Sequence, residues 1–353
     1  MIGGNKQQWT VNGKQSMSNM SDVQQYVTGD GRRIYGFRVQ AFAGLVANIY
    51  VIDDGARLIL VDTGSGLAQS NQGLVDGFAA LQRELGVAWQ MADIDQILIT
   101  HGHIDHFGGL PFVRQQTDAP VGVHILDRRV LSSYEERVMV ASRRLETFLV
   151  GAGVPEKYLA QLMQVYLFAK PFYHSTPVQF LLEPSRPVFD IDIYHVPGHC
   201  PGQVCLRLGD VLLTADHVLA RTTPHQAPES ITLNTGLGHY LDSLDKIAQV
   251  PGIRLALGGH EAPMPDLYGR IGAIQQAHQE RLDKILAICA GMPQSIAEIS
   301  RALFGRVESY HVLLALEETG AHVEYLYQRG ELVATNLAEI EQTQNPVIRY
   351  QRV

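Results

Sequence analysis

THGHIDHFGG, residues 100–109, places His101, His103, Asp105 and His106 within six positions, directly behind the apolar run DIDQILIT of residues 93–100. Imidazole and carboxylate are the side chains that suit zinc and neighbouring divalent cations. The run in front, bounded by turn residues, reads as a buried strand. A tight loop leaving such a strand aims alternate side chains at one point, so two histidines reach one ion while the Asp-His pair faces a second.

The same arrangement recurs on either side. Upstream, ARLILVDTGSG (56–66) is a short apolar run that ends at Asp62 and a Gly-rich turn. Downstream, His199 sits in the turn-rich HVPGHCPGQ (195–203), Asp216 follows VLLTA (211–215), and His260 follows IRLALGG (253–259). Any one of these alone would read as a solvated side chain. Together they make five histidines and two aspartates, each just past a strand end. Strand ends gathered on one edge of a sheet are where open sheets bind ligands. His124, His174, His195 and His225 have no metal-ligand companions in the sequence and are not candidates. Cys200 and His217 each adjoin a stronger candidate and read as packing residues, because adjacent side chains point in different directions.

The HxHxDH motif with its spaced partners resembles the metallo-β-lactamase superfamily over roughly residues 35–265. The resemblance implies an α/β fold, the αββα sandwich, in which two mixed sheets pack face to face with helices outside. It implies that His101, His103 and His199 hold one metal ion, that Asp105, His106 and His260 hold a second, and that Asp216 bridges both. Asp62, in VDTG, matches the family's early aspartate, which supports the ligand loop from behind. The commonest β-lactamases of the family put a cysteine in the second site, where this chain has Asp216. The pattern is closer to glyoxalase-II-like thioesterases and lactonases. Flavodiiron oxidoreductases carry Glu where this chain has His103.

Composition bounds the rest. The 353 residues, 46% of them hydrophobic, are enough for a sizeable core and suggest two domains. A net charge of −8 makes nucleic acid a poor partner. Three cysteines without regular spacing argue against a disulfide framework. The first stretch, 1–30, is polar, has no apolar signal-peptide core and reads as an arm. These features, with no apolar run of membrane-spanning length, predict a soluble cytoplasmic protein that does not enter a membrane. Self-association is left open.

The catalytic domain is expected over 31–270. Within it, 128–182 has helical periodicity and twelve large apolar positions, Tyr166, Phe168, Phe172 and Tyr173 among them, and is expected to be a helical insertion covering the cleft. Residues 271–353 give three helical patterns and then YLYQRGELVA (325–334), expected as a hairpin around Arg329-Gly330. That outline, with SIAEISRALF (295–304), resembles the winged helix attached to some proteins of the superfamily, including the human mitochondrial endoribonuclease-like lactamase proteins.

The chemistry expected is hydrolysis. Two divalent cations sharing one water, zinc first and manganese or iron as alternatives, bring its pKa toward neutrality and supply a bridging hydroxide. Asp105 is the residue expected to pass a proton to the leaving group, and Tyr240 is a lesser candidate for an oxyanion donor. The substrate is expected to be a small ester, thioester or lactone with an apolar acyl part. A nuclease or phosphodiesterase is the alternative, and a non-catalytic scaffold would have no need of seven ligands. Residues 276–353 hold seven Lys/Arg against ten Asp/Glu, the wrong sign for a phosphate-binding face. A gel shift with duplex DNA at low salt is therefore expected to show no complex at micromolar protein, and a salt-sensitive complex would contradict this.

Overall fold

The period-2 alternation of the strands decides the architecture, because it sends successive side chains into different cores. The computed structural model describes residues 23–168 and 170–353. Seven strands, in sequence order across the sheet, form the first sheet: β1 (Gln24–Val27), β2 (Arg33–Phe42), β3 (Leu45–Asp53), β4 (Leu58–Val61), β5 (Gln96–Leu98), β6 (Val121–Val123) and β7 (Phe180–Leu181). The hairpin-linked β1 to β4 are antiparallel, and β4 to β7 are parallel. The second sheet has β8 (Asp192–His195), β9 (Val204–Leu208), β10 (Val211–Ala215) and β11 (Leu255–Gly258), in the order β11-β10-β9-β8.

Ile34, Ile52, Ile59, Val61 and Leu98 of the first sheet meet Val204, Leu206, Leu208, Val211, Leu213 and Leu257 of the second. Their neighbours in sequence face outward. Tyr35, Phe37, Ile49, Val51 and Leu60 pack under the helix α1 (Ala68–Leu85) through Leu74, Phe78 and Leu81. Cys205, Leu212 and Ala256 pack under α7 (Leu237–Ala248), through Tyr240, Leu244 and Ile247. Two sheets face to face with helices on both outer sides is the αββα sandwich expected from sequence. Asn48 stitches the sheets beside the site, where its side chain donates to the carbonyls of Gly258 and Glu261 at 3.0 Å each.

Between β5 and β6 lie α2 (Ile104–Phe107) and α3 (Leu110–Val113). Between β6 and β7 come α4 (Ile125–Ser132), α5 (Tyr134–Gly151) and α6 (Glu156–Leu167). The helical stretch thus begins at Ile125, and the end of the 128–182 segment returns to the first sheet as β7. The polar arm expected over 1–30 is likewise shorter on its inner side. Gln24–Val27 pairs with β2, while residues 1–22 lie outside the described residues.

After β11, α8 (Leu267–Ile288) runs straight through the boundary expected at 270. It is followed by α9 (Ile296–Phe304), α10 (Tyr310–Gln328), β12 (Leu332–Ala334), α11 (Leu337–Gln342) and β13 (Tyr350–Arg352). The hairpin expected around Arg329-Gly330 is not there. Residues 325–328 are the last turn of α10, and β12 pairs instead with β13. The helical period of Leu313, Leu316, Val323 and Leu326 prevails over the β-leaning Tyr325 and Tyr327, since that stripe is buried. Of these helices α8, α9 and α10 share one hydrophobic cluster with α5, α6 and α7. No described helix is long and apolar enough to cross a membrane.

Leu206 lies between the sheets with none of its surface exposed. Leu206→Ala is expected to lower the unfolding free energy by about 2–5 kcal/mol in denaturant titration, the range for a leucine deleted from a core that relaxes only in part.

Candidate metal centre

β5 delivers its loop directly into the space between the sheet edges. The loop is held from behind by Asp62, at the end of β4, which accepts from Thr100 N and Thr100 Oγ1 at 2.8 Å each. Asp62 also faces His106 Nδ1 at 2.8 Å. That bond puts the proton of His106 on Nδ1 and leaves Nε2 free to bind a cation. Gly108 and Gly109 close the motif because the chain there runs against residues 63–65. A Cβ on Gly109 would overlap the Thr63 carbonyl oxygen, and one on Gly108 that of Ser65.

The other donors are set in the same way. His199 Nδ1 donates to the carbonyl of His225 at 2.7 Å, and His260 Nδ1 to that of Val46 at 2.6 Å. His101 Nδ1 donates to Thr100 Oγ1 at 3.2 Å. All seven side chains singled out in the sequence come together. Three overlapping groups could each hold an ion: His101, His103, His199 and Cys200; His101, His106 and Asp216; Asp105, His106 and His260.

Asp216 is central. Its Oδ2 lies 3.3 Å from His260 Nε2, 3.6 Å from His106 Nε2, 3.7 Å from His199 Nε2 and 4.0 Å from His101 Nε2. Two atoms bound tetrahedrally at about 2.1 Å to one ion stand about 3.4 Å apart, so these separations suit shared ions. The chemistry agrees with the spacing. His106 Nε2, His199 Nε2 and Asp216 Oδ1 are buried with no hydrogen-bond partner, a costly condition that a bound cation would relieve.

Electrostatics divide the ring of donors. Burial holds His101 well below the usual histidine range and His103 at about 3, so both are neutral and ready to bind. Burial opposes charge on His106 and His260 too, but there the carboxylates win. Asp216, Asp62 and Asp105 raise His106 to about 10, and Asp216 and Asp105 raise His260 well above its ordinary value, so a cation binding these rings would displace the Nε2 proton while the Nδ1 bond is kept. Asp105 and Asp216 stay well below the carboxylate range despite burial, because His106 and His260 stand beside them.

The pattern of residues 43–287 is that of the metallo-beta-lactamase superfamily. The chain belongs to that superfamily. Its last part, residues 282–353, matches the metallo-beta-lactamase-like C-terminal domain. The probable metallo-hydrolase YqjP of Bacillus subtilis is 21% identical over 290 residues, 79% of this chain and 86% of that protein. An atrochrysone carboxyl ACP thioesterase of Aspergillus fumigatus is 24% identical over 279 residues, 74% of this chain and 69% of that one. A metallo-beta-lactamase family protein of Thermus thermophilus superposes with a TM-score of 0.73 at 26% identity, covering 91% of this chain and 98% of the other. The chain is accordingly a metal-dependent hydrolase of this superfamily.

Three readings are amended by the geometry. Cys200 does not point away from its neighbour: its sulfur lies within 4.8 Å of the binding atoms of His101, His103 and His199, although burial pushes its thiol well up. Tyr240 is fully buried and donates to the His217 carbonyl at 2.8 Å, so its hydroxyl is not available as an oxyanion donor. Phe168 and Phe172 are 80% and 69% exposed, whereas Tyr173 is buried. Burial, and then the Asp105 carboxylate, push the Tyr173 hydroxyl up to about 12.

Two supporting residues escaped the sequence reading. Gln203 is fully buried, and with its amide turned to put the oxygen toward the Asp216 N–H it accepts that bond at 3.1 Å. Asp127, in the first turn of α4, accepts from Gly102 N at 2.8 Å and Gly202 N at 3.0 Å. It thereby ties the His101–His106 loop to the His199 loop. Burial raises its carboxyl to about 6. Asp127→Ala is expected to leave two buried N–H groups unpaired, to lower stability by about 2–4 kcal/mol, and to weaken metal retention during dialysis against chelator. Unchanged retention would show that the two loops hold their places without it.

Proposed function

We propose that the chain is a dinuclear hydrolase acting on an ester, thioester or lactone with an apolar acyl part. The observation that carries this is the position of Asp216 Oδ2 within 4.0 Å of four imidazole nitrogens from two sides of the site. On this reading His101, His103 and His199 hold one ion, Asp105, His106 and His260 the other, and Asp216 bridges them. Zinc suits the set best. Two such ions supply Lewis acidity, polarising a carbonyl and making water acidic enough to attack near neutral pH.

The chain's own groups supply the rest. Asp105 is ionised beside His260 Nε2, 3.3 Å away, and is the group placed to take a proton and return it to the leaving atom. Tyr173, from the helical insertion, is buried and feels the Asp105 charge. Tyr134, its ring 6.0 Å from Phe107 and 6.1 Å from Tyr173, ties Tyr173 to α2, the helix that carries Asp105 and His106. Aromatic walls favour an apolar acyl group over a phosphate or sugar. The Aspergillus thioesterase among the relatives supports the thioester as first choice. On this reading Tyr173, rather than the exposed Phe168 or Phe172, is the insertion's aromatic beside the site, and the C-terminal helices and small sheet are of winged-helix type without a role in binding nucleic acid.

Metal analysis of the purified protein is expected to find about two divalent ions per chain, and Asp216→Ala to remove at least one ion together with activity. In a hydrolysis screen of the metal-loaded protein, apolar acyl thioesters are expected to turn over faster than phosphodiesters or RNA. One ion per chain under metal excess would refute the dinuclear reading, and faster turnover of RNA the choice of substrate.

A further inference from the structure

A buried polar network outside the metal centre links the C-terminal domain to it. Glu318, on α10, is buried, which is costly for a carboxylate unless it is richly bonded. Its Oε1 lies 2.6 Å from Arg281 Nη1 of α8, and its Oε2 accepts from Gln226 N at 2.8 Å and stands 3.4 Å from His225 Nδ1. Glu317 Oε2 takes the other nitrogen of His225, Nε2, at 3.1 Å. The two carboxylates therefore grip both edges of one imidazole and the N–H of the next residue.

His225 and Gln226 belong to a stretch, 223–228, that has no regular secondary structure of its own. What this stretch gives the metal centre is one group, the His225 carbonyl oxygen, 2.7 Å from His199 Nδ1. A carbonyl in an irregular segment points where its side-chain anchors put it. The nearby trio His278, Glu318 and His322 has donor atoms close enough for a cation. Most of its groups are already engaged: His278 Nδ1 meets His322 Nε2 at 3.0 Å, His322 Nδ1 donates to the Glu318 carbonyl at 2.7 Å, and Arg281 supplies the positive charge, which leaves only His278 Nε2 of the trio without a partner. The trio belongs to the anchor.

We propose that Glu318, together with Glu317, is a positioning residue of the metal centre: the two α10 carboxylates fix the His225 segment, whose carbonyl sets the tautomer and direction of His199. This rests on the reading of His199 as a ligand. Its consequence is that the C-terminal domain tunes one ion of the pair and leaves the other alone, because His106 and His260 take their Nδ1 partners, Asp62 and Val46, from the first sheet.

The test is stepwise metal affinity of the full-length chain by chelator competition, in wild type and in His199→Ala, Glu318→Ala, His225→Ala and Arg281→Met. His199→Ala identifies the step that belongs to the ion held by His199. Glu318→Ala and His225→Ala are each expected to weaken that step about 10–100-fold, the usual cost of losing an outer partner of a metal-binding histidine, and to leave the other step within about twofold. Combining Glu318→Ala with His225→Ala in one chain is expected to lose no more than the larger single effect, because both act through one carbonyl. Arg281→Met cuts the link to α8 but leaves the grip on His225, so it is expected to lower the melting temperature without weakening the step. If Glu318→Ala does not fold, His225→Ala decides alone. The proposal is overturned if the His199 step stays within about twofold of wild type, or if both steps weaken alike. If His199→Ala itself loses no step, the ligand reading fails, and the proposal with it.

Discussion

Four of the five clustered imidazoles are held at Nδ1 by a partner outside the cluster: His106 by Asp62, His199 by the His225 carbonyl, His260 by the Val46 carbonyl and His101 by Thr100. Each bond does two things at once. It chooses the tautomer that frees Nε2, and it fixes the ring plane, so the nitrogen points at one small volume rather than sweeping a cone. The partners are drawn from β3, β4, the end of β5 and the 223–228 segment. The site is therefore only as good as the packing of the sheets that carry those partners, and the alternating apolar residues between the sheets are part of the metal centre in this physical sense.

The sequence was most legible where one short segment carries several constraints. Residues 101–106 hold four donors behind an apolar strand, and few arrangements other than a metal loop use that density. Asp62 was legible through the family resemblance that its VDTG stretch carries. Asp127 was not, because an aspartate in a helix's first turn is ordinary by itself, and its two acceptor bonds join glycines 102 and 202 that are distant in sequence. His225 was passed over because it lacks metal-ligand companions. Its contribution runs through its main chain, which any residue possesses, and so leaves no mark in residue type.

The misread hairpin has a different origin. Tyr325, Tyr327 and Val333 favour strands locally, and Arg329-Gly330 looks like a turn between them. The turn is real, since Gly330 has a φ of 72°, but it ends a helix rather than joining two strands. Local propensity gave way to the buried stripe of α10. The exposed Phe168 and Phe172 carry a related lesson: aromatic content says how much surface there is to bury, and only the packing of α6 against its neighbours decides which rings are buried.

The origins of the seven donors along the chain bear on assembly. His101 to His106 leave the first sheet, while His199, Asp216 and His260 leave the second. On the proposed reading, metal bound across both sets would cross-link the two halves of the sandwich, closing loops of nearly a hundred and more residues in the unfolded chain, where closure is entropically most expensive. The complete donor set cannot exist before the sheets have docked, so full metal uptake comes late in folding. Metal so bound would oppose separation of the sheets, and its binding free energy would become folding free energy.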